Sequence, residues 1–115
     1  MSNKYELEQL VKNEICYEHN TDRRSPYYDE YVFASNKGAV DIELDKATKR
    51  SFTFYLHFRD VSEKFAISWC EKYFSRFNMH MRNSTDIEES EKGWFIVIAS
   101  IPTEEICKYY NMEYE

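Results

Sequence analysis

The chain has 115 residues and a net charge of −6, with 43% hydrophobic and 31% charged residues, ten Tyr, eight Phe and two Trp. That length and that stock of core-forming residues exclude a disordered chain and suffice for one domain, residues 1–115, without disulfide or metal staples. Two Gly and two Pro leave no material for collagen-like or low-complexity segments, no run of about 18 apolar residues exists to span a membrane, and residues 1–10 alternate charges where a signal peptide needs an apolar stretch.

Leu7, Leu10, Val11 and Ile15 recur at helical spacing, which predicts a first helix over residues 3–18 with one stripe packed inward. Asn20, Asp22, Ser25 and Pro26 predict a loop over residues 19–26. The aromatic and β-branched residues of 27–35, ending at Asn36-Lys37-Gly38, predict a strand and a hairpin turn.

Two alternating segments follow. Val40, Ile42 and Leu44 alternate with Asp41, Glu43 and Asp45; after a short turn at residues 46–50, Phe52, Phe54, Leu56 and Phe58 alternate with Thr53, Tyr55, His57 and Arg59. A period of two puts one face of each strand in the core and the other in solvent, and the short turn makes the pair antiparallel.

At Asp60 the period changes from two to about 3.6. Val61, Phe65, Ala66, Trp69, Cys70, Tyr73, Phe74 and Phe77 share one broad stripe, with Asp60 as the expected cap and Glu63 three residues later. A weaker strand is predicted over 79–87, then a charged turn over 88–92. The run 94–101 is apolar on both sides, as an interior strand requires. Pro102 ends it, Thr103 is the expected cap, Glu104 and Glu105 occupy a first turn, and residues 106–112 form a last short helix.

The expected architecture is therefore α+β: a mainly antiparallel sheet of about five strands with three helices, in the order αβββαββα. From Phe52 onward the order β-α-β-β-α resembles most of a ferredoxin-like unit without its last strand. The RNA-recognition form of that fold stacks bases on exposed strand aromatics with basic neighbours. Trp94 and Phe95 lie in an apolar run without them, a departure from that pattern.

No constellation of residues demands a catalytic reading. Cys16 and His19 have a C-x-x-H spacing, but His57, His80, Cys70 and Cys107 form no second pair to complete a zinc site, so no metal and no cofactor are expected. Three widely spaced cysteines fit a reducing compartment, which predicts a cytoplasmic protein. Cys70 falls in an apolar stripe, where a thiol is inert. Gly38 and Gly93 are isolated and build no phosphate loop. His57, beside Tyr55 and across the hairpin from Glu43, is the one acid–base pairing available to a small enzyme or ligand-binding domain.

Charge is distributed more tellingly. Residues 1–83 hold 13 acidic and 13 basic side chains, whereas residues 84–115 hold eight acids against Lys92 and Lys108, so the whole excess lies in the last 32 residues. Such a field attracts basic partners and repels nucleic acid, and Arg23, Arg24, Lys46, Lys49 and Arg50 are too dispersed to track phosphates. Asp41, Glu43 and Asp45 form a second acidic row, spaced at about 7 Å on one strand face.

Tyr is favoured at binding surfaces because it brings large area at little entropic cost. The expected partner-binding residues are therefore Asp41, Glu43, Asp45, Glu88, Glu89, Glu91, Glu104, Glu105, Tyr109, Tyr110 and Tyr114, with Tyr27, Tyr28 and Tyr31 as a further tyrosine group. The expected function is a non-enzymatic protein-binding module or inhibitor acting on a basic or nucleic-acid-binding protein, with homodimerisation as a companion state. Residues with AT-rich codons (Phe, Tyr, Met, Ile, Asn, Lys) are abundant, which suits an AT-rich bacterium, its phage or another mobile element and hence an anti-defence role.

Overall fold

A computed structural model describes residues 3–18, 41–59, 61–82, 87–91 and 94–115. The predicted loop over 19–26 and strand over 27–35, with Tyr27, Tyr28 and Tyr31, lie outside the described residues, as do His19 and Asp60. The elements are helix α1 (Lys4–Glu14), strands β1 (Tyr17–Glu18), β2 (Asp41–Ala47) and β3 (Ser51–Arg59), helix α2 (Glu63–Ser75), strands β4 (Ile87–Glu91) and β5 (Trp94–Pro102), and helix α3 (Thr103–Tyr110). The protein is α+β, with three helices among the described residues and an antiparallel sheet whose centre is the long trio β2, β3 and β5.

The sheet order is β1-β2-β3-β5-β4, so β5 is interior, as its two-sided apolar character requires. β3 and β5 pair along their whole length, from Ser51 opposite Pro102 to Arg59 opposite Trp94. Alternation sends Ile42, Phe52, Phe54, Leu56, Phe58, Val97, Ala99 and Ile101 to one face, where all are buried. Leu7 and Val11 from α1, Ile15 directly after it, Ala66, Cys70 and Phe74 from α2 and Ile106 from α3 complete that core. At roughly 1.5–3 kcal/mol per fully buried large apolar side chain, this single layer of contacts carries the fold. Phe54 meets Phe74 with ring centroids 5.2 Å apart, joining the hairpin to the central helix.

Several boundaries differ from the sequence reading, each for a local reason. The first helix stops at Glu14, not Glu18: Ile15 and Cys16 both donate to the Val11 carbonyl, and Tyr17 and Glu18 pair with Ile42 and Asp41 instead. Helix α2 is capped by Ser62, whose Oγ accepts from the Phe65 amide at 3.1 Å, and not by Asp60. Phe65, expected in the buried stripe, lies in the first turn of α2 and is 39% exposed.

Thr103 does not cap α3 but lies within it. Its hydroxyl donates to the Thr48 carbonyl at 2.7 Å and its amide to that of Arg50. The helix thereby takes in its expected cap and is pinned to the β2–β3 turn. Residues 79–82 are not a strand either; Arg82 makes an isolated bridge to Ser100, and the paired strand begins at Ile87. Glu88, Glu89 and Glu91, expected in a turn, belong to β4, because pairing with the strongly strand-forming β5 overrides their weak intrinsic preference.

The helix ends reveal how a chain with two glycines stops its helices. Asn78 and Asn111 adopt the left-handed conformation, at φ 59° and 52°. After α2, Met79 donates to the Phe74 carbonyl and Asn78 to that of Ser75; after α3, Met112 donates to Cys107 and Asn111 to Lys108. Both are Schellman motifs with Asn where Gly is usual. The first also turns Met79 into the core, beside Phe74, and delivers His80 to the surface.

Candidate functional site

The reversal at Asn78 creates a groove between the end of α2 and the outer face of α3. Glu105, Lys108 and Tyr109 stand at positions i, i+3 and i+4 of α3, hence on one face. Together with Arg76, Phe77, Asn78 and His80 they line a space of about 450 Å³, within the size range of small-molecule sites.

Its polar floor is a clasp. Glu105 Oε2 accepts from the His80 amide at 3.2 Å, and Glu105 Oε1 lies 2.6 Å from His80 Nδ1. A carboxylate only accepts, so Nδ1 donates and both Glu105 oxygens are engaged. The aromatic wall is equally fixed. Tyr109, 46% exposed, is held edge-to-face by Phe77 at 5.4 Å and by Tyr110 at 4.9 Å. The ring series runs on from Phe77 through Tyr73 and Trp69, which stack at 5.1 Å, to Phe58 in the sheet.

The other predicted residues are placed as follows. On β2, Glu43 and Asp45 are exposed, and Asp41 stands opposite His57 in the register. A bulge falls between Leu44 and Lys46, so Lys46 takes the place opposite Thr53 and the acidic row loses its regular spacing at Asp45. Glu43 Oε1 bonds His57 Nε2 at 3.0 Å, the cross-strand pair expected from sequence, with side chains 48% and 23% exposed. Thr53, Tyr55, Ile96 and Ile98 are half-buried around it on the sheet face opposite the helices.

The acids of the C-terminal third do not form one surface. Glu88 pairs opposite Ile96, whereas Glu104 follows Pro102 at the far end of the same strand, about 20 Å away at about 3.3 Å per residue. One group therefore lines the β4 edge and the other opens α3, where Glu104 is exposed and Glu105 is held by His80.

The tyrosines also separate. Tyr109 faces the groove, Tyr110 is half-buried against α1 with its hydroxyl 3.5 Å from the Leu10 carbonyl, and Tyr114 is buried. Tyr114 packs edge-to-face on Phe52 at 5.5 Å and donates to the Ala47 carbonyl and Glu8 carboxylate. It serves the core because the Asn111 turn folds residues 112–115 back over α1.

Arg76, Asn78, His80 and Lys108 were not singled out by sequence reasoning. Asn78 directly after an apolar stripe was a readable stop signal, but the meeting of His80 with Glu105 across 25 residues left no local trace. Cys70 is wholly buried, and burial pushes its thiol far above the usual range, which leaves no reactive thiolate there. Among the described residues no group of three His, Cys, Asp or Glu is placed to hold a metal, and no helix is long and apolar enough to cross a membrane. No protein-family model, no curated protein and no solved structure matches this chain.

Proposed function

We propose that the protein is a non-enzymatic binding module or inhibitor that engages a basic, nucleic-acid-binding protein through the acidic edge of its sheet. The observation that carries this reading is the position of β4. Among the described residues it is a terminal strand of the sheet, and Glu88, Glu89 and Glu91 make up three of its five residues. An edge strand leaves one row of main-chain groups unpaired within its own sheet, and glutamates there repel a second acidic copy while attracting a basic strand or loop. Edge charge also serves solubility, so the distinguishing property is a partner.

Phage or mobile-element origin, with a host defence or nucleic-acid enzyme as target, accords with the AT-rich residue bias. In such a setting the protein acts in the host cytoplasm. From β3 onward the strand order β3-β5-β4 with α2 crossing between β3 and β4 supports the ferredoxin-like comparison, β2 standing where that unit has its last strand.

Affinity capture from bacterial lysate at low and high salt tests the proposal. A basic nucleic-acid-binding protein is expected at low salt, lost at high salt, and lost at both when Glu88, Glu89 and Glu91 are changed to Gln. Retention of the same proteins by the triple variant would refute it.

A second reading, a small enzyme or ligand-binding domain on the hairpin face, is favoured by one specific contact, the 3.0 Å pair between His57 and Glu43 beside Tyr55. Under that reading His57→Ala removes a measurable activity; under the first it leaves capture intact.

A further inference from the structure

We propose that the α2–α3 groove is a binding site for a small ligand that joins a planar ring to anionic oxygens, such as an aryl phosphate, an aromatic carboxylate or a mononucleotide. This site is distinct from the acidic strand edge and does not depend on it.

Free donor capacity defines the ligand. Seven residues line the groove, and its one carboxylate, Glu105, has both oxygens committed to His80. What remains is the guanidinium of Arg76, the ammonium of Lys108, the amide of Asn78 and the hydroxyl of Tyr109. Among the described residues neither Arg76 nor Lys108 has a carboxylate partner; the Arg76 guanidinium lies only over the Tyr73 ring, at 5.7 Å.

With Arg76 and Lys108 against the one acid Glu105, the groove keeps a net positive charge in a protein of net charge −6, a local inversion of sign. Glu104, one turn before Lys108, is exposed and makes no ion pair with it.

The apolar wall supplies the second half of the specification. Tyr109 is partly exposed yet locked between Phe77 and Tyr110, so a ring docking on it meets a surface that is already ordered and loses little side-chain entropy on binding. Bidentate Arg–oxyanion contacts and ring stacking are the pairings these residue types make best. A bare anion leaves the aromatic wall unused; a neutral ring leaves the cations unused.

The test is an amide-resolved NMR titration of the full chain with phenyl phosphate, benzoate, AMP, inorganic phosphate and phenol. Saturable shifts confined to residues 76–80 and 105–109 are expected from at least one of the first three. Phosphate alone and phenol alone should bind about tenfold or more weakly, the loss of one charged hydrogen bond or one stacked ring. AMP binding tighter than phenyl phosphate and benzoate assigns a nucleotide, and the reverse order assigns a simple aryl acid.

Arg76→Gln combined with Lys108→Gln should abolish the shifts while the exposed control pair Lys49→Gln and Arg50→Gln preserves them. No saturable shift, shifts spread over the surface, shifts that survive the double substitution, or equal loss in the control would each overturn the proposal.

Discussion

The hydroxyl of Tyr114 does more than its ring suggests. It donates at 3.0 Å to the Ala47 carbonyl and at 3.1 Å to Glu8, fastening residues after α3 to β2 and to α1 at once. Burial, and then the Glu8 carboxylate, push the Tyr114 phenol above its ordinary value of 10.0; burial and Glu14 raise that of Tyr110 as well. An unfolded chain sheds these protons from about pH 10 while the folded chain keeps them, so the stability they represent is intact below pH 10 and is lost as pH rises beyond it. Thermal melts should show that alkaline decline, and Tyr114→Phe should shallow it. The same variant should cost about 1–2 kcal/mol at neutral pH, one partner of a buried hydrogen bond having been removed.

At the scale of elements, the two asparagine-terminated helices make the plainest test. Asn78 and Asn111 hold φ values that cost a residue with a Cβ and no local hydrogen bonding about 1–2 kcal/mol. Asn78→Ala and Asn111→Ala should each lower the denaturant midpoint accordingly, while the Gly variants should be neutral or slightly stabilising.

What could be read in advance followed periodicity. The alternation of 52–58 and the 3.6-residue stripe of 66–74 became β3 and α2 because each pattern buries a continuous apolar face. The acidic β4 had no such pattern, being a strand only through its pairing with β5, and the β2 bulge at Asp45 arises from register with β3, which a single strand does not encode. For the same reason the groove was half legible. Glu105 and Tyr109 stood out by charge and residue type, but His80, Arg76 and Lys108 acquire meaning only when the turn at Asn78 brings two helices together.

In the whole molecule, α1 is held less by its own sequence than by distant segments. Leu7, Val11 and Ile15 pack into the core, the Tyr73 hydroxyl donates to the Ile15 carbonyl, Tyr114 reaches Glu8, and the Lys4 amide donates to the Glu115 carbonyl at 3.2 Å. Deleting residues 112–115 removes a buried aromatic and both of these distal ties. It should cost about 3 kcal/mol or more, and hydrogen exchange should quicken first in α1, before the β3 and β5 amides respond.

The bond from Lys4 to Glu115 also sets an order of events during synthesis. Helix α1 leaves the ribosome well before residues 112–115, and an isolated 11-residue helix is marginal in water until those partners arrive. The hairpin of β2 and β3 can form as it emerges and α2 follows directly to cover its apolar face, but the outer edge of β3 waits for β5, which fills the place between β3 and β4. The nascent chain therefore carries an unpaired, phenylalanine-rich strand edge from the completion of β3 at Arg59 until β5 emerges, a stretch for chaperones to shield.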